Sequence, residues 1–318
     1  MRRILPALLC AVAATAQGQT YPAKVVKVVA PYSSSAGPTL FMRLMAERLT
    51  KVWGKQVIVD SRPGASGFIA LEAVKNALPD GYELIVVSNA HVAINPALYK
   101  NLPYDPRADF APVGMIYHTP FFVTVKSDGP YATVPALIAA AKAGPGKLTY
   151  GAPYVGSPSH LGGADFARRT GTSMLLVPFK DQAQMYLSIA SGDLDWALST
   201  LASATPLRKA GRVKLLAIAS ARRSASAPEV PTMKEAGGPD FEMDSWLALL
   251  APKKTPAAVV RKINADMNAE LAAPEVLERM KAMGFEASPG TPEQLAEAIR
   301  VDTETYAELV RLTGASAD

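Results

Sequence analysis

The chain has 318 residues, 49% hydrophobic and 19% charged, with a formal net charge of +5, which is ample core for one large or two medium globular domains. Its basic residues form no run longer than two and are not interleaved with aromatics, which excludes a nucleic-acid surface. After the first twenty residues no stretch is long and apolar enough to span a bilayer, and the slight basic excess fits either attraction of small anions or an ordinary solvated surface.

Residues 1–20 read as a removable export signal. Arg2 and Arg3 form its basic start, Ile4 to Ala14 its apolar stretch, and Ala14-Thr15-Ala16 the small residues at which cleavage is expected, near Ala16. At about eleven residues the apolar stretch is too short to span a membrane, which takes roughly twenty. Cys10, the sole cysteine, lies inside this segment behind Leu9, where lipid attachment would want a small residue. The mature chain is therefore expected to lack disulfides, thiolate metal sites and cysteine nucleophiles.

From Lys24 short apolar runs alternate with helical patterns, the signature of a parallel sheet flanked by helices. Val25 to Ala30 predicts a buried strand, and the loop Pro31 to Pro38 leads to a helix from Thr39 to Trp53. A strand at Val57 to Val59, a turn at Pro63 to Gly67, a helix at Phe68 to Leu78 and a strand at Leu84 to Val87 complete a first unit. Ala111 to Lys126 is a long β-rich crossing. A second unit follows, with helices at Ala136 to Ala143, Ser159 to Thr170, Gln182 to Ser191 and Ala204 to Ala210. Its strands are expected at Leu148 to Gly151, Leu175 to Phe179, Leu194 to Leu198 and Val213 to Ala219. Ala221 to Pro252, broken by Pro228, Pro231 and Pro239, is the second crossing. In the tail, Thr255-Pro256 starts a helix carrying Val259, Ile263, Met267 and Leu271. Thr291-Pro292-Glu293-Gln294 is a capping box for another. The tail helices are expected to return to the first unit, giving 21–125 plus 230–318 as one domain and 126–229 as the other.

Three strand ends carry small, polar loops: Tyr32 to Thr39, Ser88 to Asn95 and Pro153 to His160. In open α/β sheets the carboxyl ends of strands line the ligand crevice, and helix N-termini there suit anions. Candidate ligand contacts are Tyr32, Ser33, Ser34, Ser35, Gly37 and Thr39 in the first loop, and Ser88, Asn89 and His91 in the second. Ser157, Ser159 and His160 in the third, with Asp181 and Ser199, complete the set. Each hydroxyl could equally cap a helix or close a turn. The three histidines, His91, His118 and His160, have no metal-ligand spacing, and neither metal nor cofactor is expected. Gly144-Pro145-Gly146-Lys147 lacks the phosphate-loop spacing, Gly64-Ala65-Ser66-Gly67 lacks the nucleophile elbow, and Asp193 and Asp195 read as an exposed start to a strand rather than an acid/base pair. Trp246 is either a wall of the cleft or a core residue.

An ordered series of motifs covers essentially the whole mature chain. Tyr21-Pro22-Ala23-Lys24, Arg62-Pro63-Gly64-Ala65-Ser66-Gly67, Pro79-Asp80-Gly81-Tyr82, Ile94-Asn95-Pro96-Ala97-Leu98-Tyr99 and Leu102-Pro103-Tyr104-Asp105-Pro106 are followed by Pro145-Gly146-Lys147-Leu148 and Ser157-Pro158-Ser159-His160-Leu161. Ser191-Gly192-Asp193-Leu194-Asp195, Pro228-Glu229-Val230-Pro231-Thr232 and Ser245-Trp246 complete it. In this order they resemble the extracytoplasmic receptors of tripartite tricarboxylate transporters, the Bug receptors.

That resemblance implies an α/β two-domain periplasmic binding protein, type II-like, with a central cleft and a double crossover, closing on a small carboxylate. It further implies a non-enzymatic receptor in the periplasm that hands its ligand to a permease of one large and one small membrane subunit, and a monomer is expected because a hinged receptor needs its cleft free. A ligand sensor for a signalling partner, or a secreted hydrolase on the same scaffold, are the alternatives. The chain departs from the family at Leu40, where an acid is usual, in the serines Ser33 to Ser35, and at Phe179-Lys180-Asp181, where Tyr-Lys-Gly is common.

Overall fold

The computed structural model describes residues 21–179 and 182–317; the expected export signal and Asp181 lie outside the described residues. β1 (Val26–Ala30) is the β-branched run, almost wholly buried. α1 (Gly37–Trp53) starts earlier than its pattern predicts, because Pro38 in the first turn lacks only an N–H that would have had no helical partner. Gly54, in the left-handed conformation at φ 61°, ends it. β2 (Val57–Ser61), a 3-10 turn at Ala65–Gly67, α2 (Phe68–Lys75) and β3 (Glu83–Ser88) follow. The segment after β3, expected as loop, is a π-helical turn (Ala90–Ile94) running into α3 (Asn95–Leu98), held by buried Val92, Ala93, Ile94 and Leu98.

β4 (Phe110–Lys126) is the long crossing strand. The second unit comprises α4 (Val134–Ala143), β5 (Thr149–Ala152), α5 (Pro158–Thr170), β6 (Leu175–Pro178), α6 (Gln182–Ser191), β7 (Trp196–Thr200), α7 (Leu201–Lys209) and β8 (Val213–Ile218). The weak pattern of the second crossing hides a fully formed strand, β9 (Asp244–Pro252). Its residues from Trp246 to Pro252 are buried, so it shows no polar alternation by which to recognise it. α8 (Ala257–Leu271), α9 (Pro274–Ala282), β10 (Glu286–Ala287) and α10 (Pro292–Thr313) finish the chain, α10 starting at the predicted Thr291 capping box.

The strands form two sheets that share β4. In the first, β1 lies parallel between β2 and β3, β9 runs antiparallel to β3, and β4 pairs with β9 from Phe110 to Pro120. In the second, the end of β4 lies between β7 and β8, both antiparallel to it, while β5 pairs in parallel with β7 and β6. The changeover at Phe121 is tied to the second crossing by a ring of backbone bonds. Phe121 N–H donates to Met243 C=O at 3.1 Å, Met243 N–H to Ala219 C=O at 2.9 Å, and Ala219 N–H to Phe121 C=O at 2.8 Å. Asp195 likewise joins strands, its carboxylate accepting from the Thr149 amide and hydroxyl and from Tyr131.

α8 and α9 cover the first sheet through Ile263, Met267, Leu271, Val276 and Met280. α10 belongs to both lobes. Leu295 and Ile299 pack with Val87 and Trp246 under the first sheet, whereas Tyr306, Leu309 and Val310 pack in the cluster that holds Phe166 and Trp196 of the second. Trp246 is a core residue whose indole N–H donates to Asp302 on α10 at 2.7 Å.

Burial pushes the Asp302 carboxyl up to about 6, with Asp244 adding to the effect and the Trp246 bond and His118 opposing it. The folded state thus holds this proton more tightly than the unfolded chain. The resulting stability is complete below about pH 4 and is lost as pH rises through about 6. Asp302→Asn keeps an acceptor for Trp246 but cannot ionise, so its stability relative to the parent should grow between pH 4 and 7 by about 1–3 kcal/mol. Thermal melts of both proteins across that range check this; parallel profiles would count against it.

Candidate ligand-binding cleft

The carboxyl ends of β1, β2 and β3 meet the loop after β5 across a cavity of about 330 Å³, at the lower end of the ~300–1,000 Å³ usual for small-molecule sites. From the first lobe come Pro31, Tyr32, Gly64, Ser66, Gly67, Ser88, Ala90, His91, Ile94, Asn95, Leu98 and Tyr99; from the second, Tyr154, Val155 and Gly156; and from the segment after α10, Ala317. Among the described residues no Asp, Glu, Lys or Arg lines it.

His91 anchors the floor. Its Nδ1 accepts the Ser88 amide at 3.1 Å and lies 3.0 Å from the Ser88 hydroxyl. Burial lowers its pKa to about 4, against a smaller opposing effect of the Ser88 bond. The ring is therefore neutral at pH 7, and with Nδ1 an acceptor its proton sits on Nε2 as a donor. A side chain at Gly67 would strike this ring, a built Cβ falling 2.8 Å from Nε2, and φ of 89° also favours glycine there. Tyr32 packs its edge on the imidazole with centroids 5.4 Å apart. The Tyr32 hydroxyl is buried without a hydrogen-bond partner of normal geometry, Ser88 being its polar neighbour, and burial raises its pKa.

The turn after β2 contributes strain as well as donors. Ala65 and Ser66 both have positive φ, 45° and 49°, which costs of order 1–3 kcal/mol each and needs support. Ser66 is held by Tyr99, hydroxyl to hydroxyl at 2.6 Å, and by the Asn95 amide donating to its carbonyl at 3.2 Å. α2 starts here with Gly67 as N-cap and no side-chain hydrogen bond to its first turn. Gly64, Ser66 and Gly67 line the cavity, so the partial positive start of α2 lies at it.

The second lobe approaches through Gly156, whose φ is 83° and whose built Cβ would fall 2.5 Å from Leu98 of the first lobe. The Gly156 amide donates to His160 Nδ1 at 2.9 Å. Ser157 caps α5 by accepting the His160 amide at 3.2 Å, and Ser159 lies 3.4 Å from it. These three side chains sit behind the loop, with His160 facing a separate cavity between α5 and α10, where burial lowers its pKa.

The remaining candidates lie elsewhere. Ser33, Ser34 and Ser35 are exposed, the Ser34 carbonyl accepting from Arg43 at 3.1 Å. Gly37 and Thr39 are in the first turn of α1, Thr39 buried with an unpartnered hydroxyl. Asn89 is fully buried beneath the cleft, donating to Asp244 C=O and to Tyr306 and accepting from Ser245. Ser199 pairs with Thr124 inside the second sheet. Gly64, Ser66, Gly67, Asn95, Tyr99 and Tyr154 were absent from the sequence candidates. The strand-end rule, extended to the turn after β2, finds the first three; Asn95 and Tyr154 lie in the predicted strand-end loops Ser88 to Asn95 and Pro153 to His160, and only Tyr99 carries no local signal.

A larger cavity of about 520 Å³ lies on the hinge side, lined by Asp165, Glu242, Asp244, Glu286 and Asp302 against His118, Arg169 and Arg222. His118 pairs with Asp244 there. An excess of carboxylates makes it a poor host for an anion, so the smaller, uncharged cleft is the better ligand site.

Residues 41–314 match the family described as Tripartite tricarboxylate transporter family receptor. The protein BugT of Bordetella pertussis is 30% identical over 96% of this chain and 94% of its own length. Among solved structures, Rpa4515 of R. palustris with adipate superposes with a TM-score of 0.80 at 30% identity, covering 93% of this chain and 99% of that one. MatC of Rhodopseudomonas palustris with bound malate gives 0.75 at 26%, covering 91% and 100%. The two-lobed α/β architecture of the periplasmic binding proteins, the cleft at its strand ends and a match over most of its length place this chain in the tripartite tricarboxylate transporter receptor family.

Proposed function

We propose that this protein is a periplasmic receptor that closes its two lobes on a small mono- or dicarboxylate and delivers it to a permease of one large and one small membrane subunit. It would be exported with cleavage near Ala16, act as a monomer, and divide close to the expected domains 21–125 plus 230–318 and 126–229, with the first boundary inside β4 at the changeover at Phe121 and α10 shared by both lobes. The observation that carries the reading is the cavity at the strand ends, lined among the described residues by neutral hydroxyls, His91 and the start of α2. A carboxylate could accept from Tyr32, whose buried hydroxyl has only Ser88 as a polar neighbour, and α2 supplies favourable potential without a desolvated cation. The adipate and malate bound by Rpa4515 and MatC support this ligand class.

The Ser88–His91 pair is the one arrangement that suggests a hydrolase. With its pKa lowered to about 4, His91 is a weak base, and no described carboxylate lines the cavity to orient it or stabilise an imidazolium. The pair instead holds the end of β3 against the π turn. Turnover of a bound ester or amide would revive the enzyme reading.

Thermal unfolding against carboxylates, amino acids and neutral solutes tests the function directly. A true ligand at a hundred times its dissociation constant should stabilise by about 2.7 kcal/mol; a shift only with neutral or cationic solutes would refute the carboxylate reading. Tyr32→Phe should weaken the ligand so identified by about 1.5–3 kcal/mol, roughly tenfold to 150-fold, by calorimetry. Gly156→Ala would be strained at φ 83° with or without ligand and would press on Leu98 where the lobes meet. It is therefore expected to lower the melting temperature of the unliganded protein and to cost at least about tenfold in affinity, roughly 1.4 kcal/mol.

A further inference from the structure

The last described residues of the chain lie at the ligand cavity. α10 is anchored in the core through Tyr306, Leu309 and Val310. Gly314, at φ 64° and ψ 18°, then turns the chain in the left-handed conformation that ends helices. Beyond it, Ala315 packs on the same core cluster. The Ala317 amide donates at 3.2 Å to the carbonyl of Leu98, the last residue of α3 and so one whose carbonyl has no partner within its helix. Ala317 then lines the cavity beside Tyr99, Tyr154 and Val155.

Leu98 is thereby met from two sides. Gly156 of the second lobe closes against its side chain, and the tail bonds its backbone. The tail crosses the place where the lobes join, and it is carried by the helix whose two halves belong to the two cores. Ala317, the described tail residue that lines the cavity, is small, so its backbone and methyl group, rather than a bulky plug, bound the cavity at this end.

The geometry points to residues 315–317 as a wall of the ligand cavity that sets the length of acid over which the lobes can close. This rests on the cleft being the carboxylate site. An acid longer than the cavity must displace the tail, breaking the Ala317–Leu98 bond and the packing of Ala315. A shorter one leaves the tail in place but fills the space less well. Specificity for chain length therefore resides in a segment far in sequence from the strand-end loops.

The test compares the parent chain with a chain stopped after Gly314 and with Ala317→Trp, titrating each with malonate, succinate, adipate and suberate. The stopped chain should shift its preference to longer acids. Ala317→Trp should lose at least about tenfold in affinity for the longest acid the parent binds. Identical rankings and affinities in folded variants would overturn the proposal, and the substitution decides alone if the stopped chain does not fold. A second readout needs no ligand, and uses Cys10→Ser with Ala90→Cys in all three proteins. Without any added acid, alkylation of the cavity thiol should be several-fold faster in the stopped chain than in the parent, and slower in the Ala317→Trp variant. Equal rates would overturn the wall. Failure of the parent to bind any acid, with the alkylation difference present, would sink the carboxylate reading but leave the tail as a wall of the cavity.

Discussion

One strand belongs to two sheets, and most of the molecule's behaviour follows from that. β4 pairs with β9 up to Pro120 and with β7 and β8 from Phe121 and Phe122, so the lobes cannot separate without tearing a continuous ladder. They can only rotate about it. The backbone ring among Phe121, Ala219 and Met243 ties the return crossing to the same point, concentrating any change in φ and ψ into a few residues, as hinged receptors require. Asn89, buried under the cleft, links β3 to the start of β9 and to Tyr306 of α10. The floor of the ligand site is thus hydrogen-bonded to the hinge.

The electrostatics of the cleft suit a protein that must bind and then release. A buried cation would need compensation whenever the cavity emptied. A neutral imidazole, phenol and serine hydroxyls and the start of a helix carry no such penalty. Burial holds His91 neutral and leaves its Nε2 a donor, while charged groups collect in the hinge cavity. Among the described residues, the carboxylates and arginines therefore gather in the hinge cavity, and the cleft holds only groups that are neutral at pH 7.

Much of the fold was legible because it is written in local patterns. The β-branched run at β1, the Thr291 capping box and the four-residue spacing from Val259 to Leu271 each depend on neighbours in sequence. β9 was not legible as a strand, since burial of both faces erases alternation and its Leu- and Ala-rich run lacks the β-branched residues that mark β1. The π turn at Ala90–Ile94 was not either, since His91, Asn95 and Pro96 suggest a loop and only tertiary packing of Val92 and Ile94 makes it helical. In the site, strand ends led to Tyr32, Ser88 and His91. Sequence could not tell an inward hydroxyl from a cap: Ser157 caps α5, and Ser33 to Ser35 face solvent. Tyr154 sits in the predicted loop Pro153 to His160, whereas Tyr99 and Ala317 reach the cavity through folding alone.

The departures of the first loop from the family pattern take on a definite meaning in that light. Leu40 is exposed on α1, and the serines that precede it are exposed with Arg43 pinning the Ser34 carbonyl. The altered first loop therefore changes the rim of the cleft rather than its lining, which is left to Tyr32, Ser66, Tyr99 and Tyr154. Phenols present an apolar ring and a polar tip in one side chain. A cavity walled by three of them, with Ile94, Leu98 and Val155 between, matches an acid whose charged end meets hydroxyls while its carbon body lies on apolar surface. On the reading proposed above, discrimination among such acids would rest on length and shape more than on charge, because the described residues that line the cavity are neutral.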